Sequence, residues 1–121
     1  MAKPALENLK KEIEEDTPFY SIVVFGSYAM DEQKKNSDLD VAIFIENEEK
    51  RKQIEASANS AKLKNALEMD INVIPKSEML EMLTNKEENL GKQIARKHIA
   101  VCNHRIFYEI IKEGMKHGFR A

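Results

Sequence analysis

Three short runs decide the fold: Val24-Phe25-Gly26-Ser27-Tyr28-Ala29, Asn36-Ser37-Asp38-Leu39-Asp40-Val41 and Met69-Asp70-Ile71-Asn72-Val73. Each joins a β-forming stretch to a glycine or a carboxylate. Tyr20 to Phe25 is β-branched and aromatic and lies between Pro18 and Gly26, which predicts a buried strand. Leu39 to Ile45 predicts a second strand. Met69 to Ile74 predicts a third that stops at Pro75, because proline cannot donate to a ladder.

Outward from these strands the pattern turns helical. Leu6, Leu9 and Ile13 recur at helical spacing in a predicted helix from Pro4 to Asp16, which Thr17-Pro18 ends. Gly26 to Ser37 reads as a glycine turn, a short helix and a polar stretch. Glu46 to Leu67 reads as a solvent-covered helix with Ile54, Ala58, Ala61, Leu63 and Ala66 as its apolar positions. Ser77 is placed to cap a helix running through Leu83. Glu87 to about Ala100 predicts a further helix despite Gly91, with a short strand near Ile99 to Cys102 as the competing reading. Phe107 to Lys116 is helical and amphipathic. The order predicts one α/β (α+β) layer domain over residues 1–121, a mixed β-sheet flanked by helices.

Composition bounds the function. The 121 residues carry 19 Lys plus Arg against 21 Asp plus Glu, a formal charge of -2. That balance gives no reason to expect nucleic-acid binding, which usually shows a basic excess. The 42% hydrophobic content is that of a folded domain rather than an acidic disordered tail. Cys102 is the single cysteine, so no intramolecular disulfide forms. With no long apolar run and no signal-peptide pattern after Met1-Ala2-Lys3-Pro4, no membrane role is expected, and a cytoplasmic location is.

The chemistry lies in the carboxylates. Asp38 and Asp40 are two apart at the start of a strand, so both point to one face with Cα atoms about 6.5–7 Å apart. Leu39 and Val41 point the other way. Carboxylates held side by side repel unless a cation lies between them. Mg²⁺ is commonly held by one or two carboxylates plus substrate phosphates. Asp70 stands in another apolar run, where a lone charge is costly. If the third strand lies beside the second, Asp70 joins Asp38 and Asp40. Two metals about 3.5–4 Å apart would then clamp an in-line displacement. Asp70 is the natural base for an incoming hydroxyl. Gly26 after a buried strand lets backbone approach a phosphate closely, and Ser27 adds a hydroxyl donor. A phosphate cradle beside an acidic strand points to nucleotidyl or phosphoryl transfer.

Gly26-Ser27, ten intervening residues and Asp38-Leu39-Asp40 together resemble the signature of the DNA polymerase β-like nucleotidyltransferase superfamily. The wording Ser37-Asp38-Leu39-Asp40-Val41 resembles its minimal nucleotidyltransferase (MNT) branch. The resemblance implies that Gly26 and Ser27 contact nucleotide phosphates and that Asp38, Asp40 and Asp70 are the catalytic, metal-binding carboxylates, with Mg²⁺ as cofactor. It implies a nucleoside triphosphate substrate, ATP first, and transfer of AMP to a protein hydroxyl. It also implies a partner, since members of that branch act as antitoxins that modify a tyrosine of a HEPN-domain toxin. The chain departs from the branch at Ala29-Met30-Asp31, where many members carry Ala-Arg-Gly. Lys34 and Lys35 read first as solvated loop lysines and second as replacements for that arginine. The rival reading is a catalytically inactive module of the same fold that acts by contact.

Other clusters weigh less. His98 and Cys102 have helical i, i+4 spacing with His104 nearby, but three candidate ligands without a fourth make a weak zinc signal. Phe107 and Tyr108 read as core. Lys86, Lys92, Arg96 and Lys97 read as a solvated helix face.

Overall fold

The computed structural model describes residues 2–26, 38–65 and 67–120. A four-stranded sheet lies between two helical layers. The first helix, α1 (Ala2–Glu14), precedes β1 (Tyr20–Phe25), and β2 (Leu39–Ile45) follows. A single 3₁₀ turn (Glu48–Lys50) leads into α2 (Arg51–Leu63), then β3 (Met69–Pro75), α3 (Lys76–Thr84), α4 (Leu90–Arg96), β4 (His98–Cys102) and α5 (His104–Lys116). Strand order is β3-β2-β1-β4. β1 pairs antiparallel with both β2 and β4, while β2 and β3 run parallel, as a strand–helix–strand crossover through α2 requires. The sheet is mixed, as the sequence predicts. None of the described helices is long and apolar enough to cross a membrane.

The sheet buries both faces, and residue alternation assigns each side chain to one layer. Ile22, Val24, Leu39, Val41, Ile43, Met69 and Val73 form one core with Leu9 and Ile13 of α1 and Ile54, Ala58 and Ala61 of α2. Val23, Phe25, Ala42, Phe44 and Ile74 form the other with Met79, Leu83, Ile94, Phe107 and Ile110 from α3, α4 and α5. Tyr20 ties the first layer together, its hydroxyl donating to Glu14 Oε1 at 2.6 Å. Burial of that hydroxyl, followed by its hydrogen bonds to Cys102 and Glu14, pushes the phenol well above its ordinary range.

Several local expectations are corrected. The helix after Pro75 starts at Lys76, and Pro75 itself is its N-cap with no side-chain bond, so Ser77 does not cap it. Extended backbone at Pro75 already starts the helix two residues earlier than a Ser77 cap would. The predicted helix from Glu87 to Ala100 contracts to α4, capped by Asn89, whose side chain accepts from the Lys92 N–H at 3.0 Å. Its second half becomes β4, because Ile99 and Ala100 pair with Val24 and Val23 on the open edge of β1. Tyr108 is half-exposed rather than core, while Phe107 is fully buried against Phe44 at a ring separation of 5.2 Å. The predicted short helix between Gly26 and Ser37 lies outside the described residues, as do Ala66, Ser27, Tyr28, Ala29-Met30-Asp31, Lys34 and Lys35.

Candidate active site

The site forms at one end of the sheet, where β1 finishes and β2 and β3 begin. Parallel pairing puts Asp40 of β2 opposite Asp70 of β3, and antiparallel pairing puts Phe25 of β1 opposite Asp40. Strands lie about 4.8 Å apart, so the two carboxylates are immediate neighbours on the face that carries Phe25 and Phe44. Asp40 is the one residue of β2 that is not fully buried. Asp70 is exposed, and Asn72 follows it half-buried on the same face. Asp38, one residue ahead of β2, is exposed.

Gly26 closes this end of β1 in the left-handed region, at φ +69°. It lies flush against Asp40. A Cβ built on Gly26 would overlap Asp40 Oδ2 and sit 3.0 Å from Asp40 Cγ. Glycine is required here twice over, by its backbone conformation and by the carboxylate beside it.

The electrostatics follow from this crowding. Partial burial, then the negative charges of Asp70 and Asp38, push the Asp40 carboxyl above the usual carboxylate range. Such a group is relieved by a cation. Among the described residues, no three His, Cys, Asp or Glu side chains gather closely enough to hold a metal by themselves. The structure therefore brings Asp40 and Asp70 side by side and leaves Asp38 at the rim, within electrostatic reach. A carboxylate pair suits Mg²⁺, which commonly completes its shell with water and substrate phosphate.

Above the pair opens a cleft of about 640 Å³, lined by Phe25, Gly26, Asp40, Asp70 and Asn72 on the sheet side. Its opposite wall comes from α4 and its approaches: Glu88, Leu90, Gln93, Arg96 and Lys97. That volume lies within the range of small-molecule sites. Sequence reasoning missed this wall, because it treated Arg96 and Lys97 as part of one solvated basic face with Lys92. The structure parts Lys97 from Lys92 and sets Arg96 between them, lining both this cleft and a second cavity with Lys86 and Lys92. Lys92 turns its ammonium to the carbonyls of Asn85 and Glu87, whereas Arg96 and Lys97 face the cleft. The usable signal was the competing strand reading at Ile99 to Cys102. A strand there, paired with β1, brings the two preceding cations back beside Gly26.

The weaker clusters resolve as ordinary structure. In β4 the helical spacing of His98 and Cys102 no longer exists. His98 Nδ1 lies 3.0 Å from the Ile94 carbonyl oxygen and therefore carries the proton, so Nε2 accepts from the Tyr108 hydroxyl at 2.9 Å. Cys102 Sγ lies 3.5 Å from the Tyr20 hydroxyl.

Three comparisons with known proteins bear on this geometry. A crystal structure of a toxin–antitoxin with AMP-PNP superposes with a TM-score of 0.55 at 16% identity, covering 91% of this chain and 83% of that one, which establishes a shared fold. A relative from Methanocaldococcus jannaschii, provisionally named a protein adenylyltransferase, is 46% identical over 41 residues. That match takes in 34% of this chain and about half, 48%, of the relative. The model of the nucleotidyltransferase domain matches residues 6–108, from α1 into α5 and across the whole sheet. With the glycine turn and the paired carboxylates both inside that span, the chain belongs to the nucleotidyltransferase domain family.

Proposed function

We propose that the chain is a Mg²⁺-dependent nucleotidyltransferase that moves AMP from ATP to a hydroxyl of a partner protein. The observation that carries this reading is the register of β2 on β3, which fixes Asp40 beside Asp70 at the foot of a nucleotide-sized cleft with Gly26 against them. Asp40 and Asp70, with Asp38 at the rim, are the residues that would hold Mg²⁺, and Gly26 and Ser27 those that would meet the phosphates. Bound there, Mg²⁺ supplies neutralisation of the polyphosphate and of the charge that develops on the leaving group.

The rest falls to the chain's own side chains. The acceptor oxygen attacks the α-phosphorus, the bond from that phosphorus to the bridging oxygen breaks, and pyrophosphate leaves. Asp70, exposed at the cleft, accepts the hydroxyl proton. Phe25 and Leu90 supply the apolar lining at opposite sides, which excludes water from part of the cleft. The partly similar adenylyltransferase and the toxin–antitoxin fold neighbour support a HEPN-type toxin as the first partner to test.

Incubation with α-labelled ATP, Mg²⁺ and the candidate partner decides the matter. The expected result is label on the partner's tyrosine with the wild-type chain, and none with Asp70→Asn. Absence of label on any protein or RNA with all four nucleoside triphosphates would leave the contact-only module as the surviving reading.

A further inference from the structure

The carboxylates account for one side of the cleft, and the opposite wall calls for its own explanation. Arg96 ends α4 and Lys97 follows it, and both line the same cavity as Asp40, Asp70 and Gly26. Arg96 is anchored. Its Nη1 lies 2.7 and 2.6 Å from the two oxygens of Glu88, which also lines the cleft. Both bonds use the same nitrogen. Nη2 and Nε make no hydrogen bond among the described residues, so most of the planar donor set remains unused on a side chain held in place. Lys97 is exposed and makes no ion pair among the described residues. The segment after Gly26 offers no lysine or arginine before Lys34. A polyphosphate laid between the walls therefore meets carboxylates on the sheet side and, among the described residues, the cations Arg96 and Lys97 on the helix side.

We propose that Arg96 and Lys97 form the polyphosphate-binding wall of the cleft, with Glu88 as the positioning residue that holds Arg96 by one nitrogen and leaves the others to the phosphates. This rests on the nucleotide-transfer reading above and assigns the β- and γ-phosphates to residues at the α4–β4 junction. The arrangement makes affinity depend on phosphate number. Guanidinium and ammonium groups reward each added phosphate charge, whereas Leu90 and Phe25 contact only the less polar part of the ligand.

The test is equilibrium binding of ATP, AMP and adenosine with Mg²⁺ to the full chain and to Arg96→Ala, Lys97→Ala, the double variant and Glu88→Gln, each checked by thermal melting. Losing a charge-assisted contact of this kind weakens binding roughly 10-fold or more. The expected result is that loss for ATP with Arg96→Ala, a larger loss with the double variant, and little change for adenosine. Glu88→Gln keeps Arg96 but gives up the charge that holds it, while removing a negative charge beside the phosphates, so ATP binding should weaken clearly less than with Arg96→Ala. The proposal is overturned if the double variant binds ATP within about twofold of wild type, if ATP and adenosine weaken in parallel, or if Glu88→Gln loses as much as Arg96→Ala. Failure of the wild-type chain to bind any nucleoside triphosphate would refute the nucleotide-transfer reading as well. Wild-type binding with an unaffected double variant refutes this inference alone.

Discussion

Gly26→Ala is the sharpest test of how the site is built. The residue sits at φ +69°, where an L side chain costs about 1–2 kcal/mol. The new methyl would also overlap Asp40 Oδ2 and press on Asp40 Cγ and Cβ at 3.0 and 3.3 Å. Overpacking of that kind costs about 1–3 kcal/mol, because the neighbour must leave its rotamer. The two together predict a loss of about 2–5 kcal/mol, a large part of a typical domain's stability. Urea unfolding would read it as a fall in midpoint of about 1.3–3.3 M, taking a slope of about 1.5 kcal/mol/M. Repeating the substitution on an Asp40→Ala background separates the causes. The steric part disappears with the carboxyl group and the backbone part stays, giving a coupling of about 1–3 kcal/mol. A Gly26→Ala chain within about 0.5 kcal/mol of wild type would refute the reasoning, as would an equal loss in both backgrounds. Nucleotide binding supplies a second readout, since a displaced Asp40 no longer faces Asp70.

Other consequences are as direct. Because the Asp40 carboxyl is raised, the native chain keeps its proton above the unfolded value of about 3.9. Between that value and the raised one the native state binds more protons, so this group's contribution to stability falls as pH rises through the window. Asp40→Asn should therefore raise the metal-free melting temperature at pH 7 and have little effect at pH 3, and a loss at pH 7 would contradict the assigned cause. Asp70→Asn should cut nucleotide transfer at least about 100-fold while leaving the melting temperature close to wild type, since Asp70 is exposed. Gly91→Ala places a methyl 2.7 Å from Met82 Cβ and 3.1 Å from Met79 Sδ, so it should cost about 1–3 kcal/mol in denaturant. The same change pushes α4 from α3 and should weaken ATP binding through the displaced cleft wall.

The three runs around Phe25, Asp40 and Asp70 were legible because strand chemistry and punctuation agree there. β-branched residues fill Tyr20 to Phe25 and Leu39 to Ile45, and Gly26 and Pro75 end their strands. The site was half legible for the same reason: alternation sets the face of Asp40, but no local rule reveals that β3 lies parallel to β2 in the register that pairs it with Asp70. The helix-side wall was legible only through the competing strand reading at Ile99 to Cys102. Leu90 to Arg96 is a helix and His98 to Cys102 a strand, joined by Lys97 alone, with no proline or glycine at the junction. Unpaired, Gln93 to Ala100 continues a helical pattern. Only the free edge of β1, remote in sequence, turns its second half into a strand.

The core and the carboxylate pair share one register, and that limits how the site can vary. Leu39, Val41 and Ile43 are each buried with no exposure against α1 and α2, while Ala42 and Phe44 are equally buried on the other face. A slip of β2 by one residue would drive Asp40 into the first of those cores and turn Leu39 and Val41 toward the cleft. Apolar packing along the whole strand thus holds the position of a carboxylate that on its own would rather be solvated. The strain of holding Asp40 near Asp70 is offset by contacts several residues away, where no ligand reaches. Substitutions in the far half of β2, such as at Phe44, should therefore disturb the site only when they disturb the fold. Substitutions at Gly26 and Asp70 should disturb the site first.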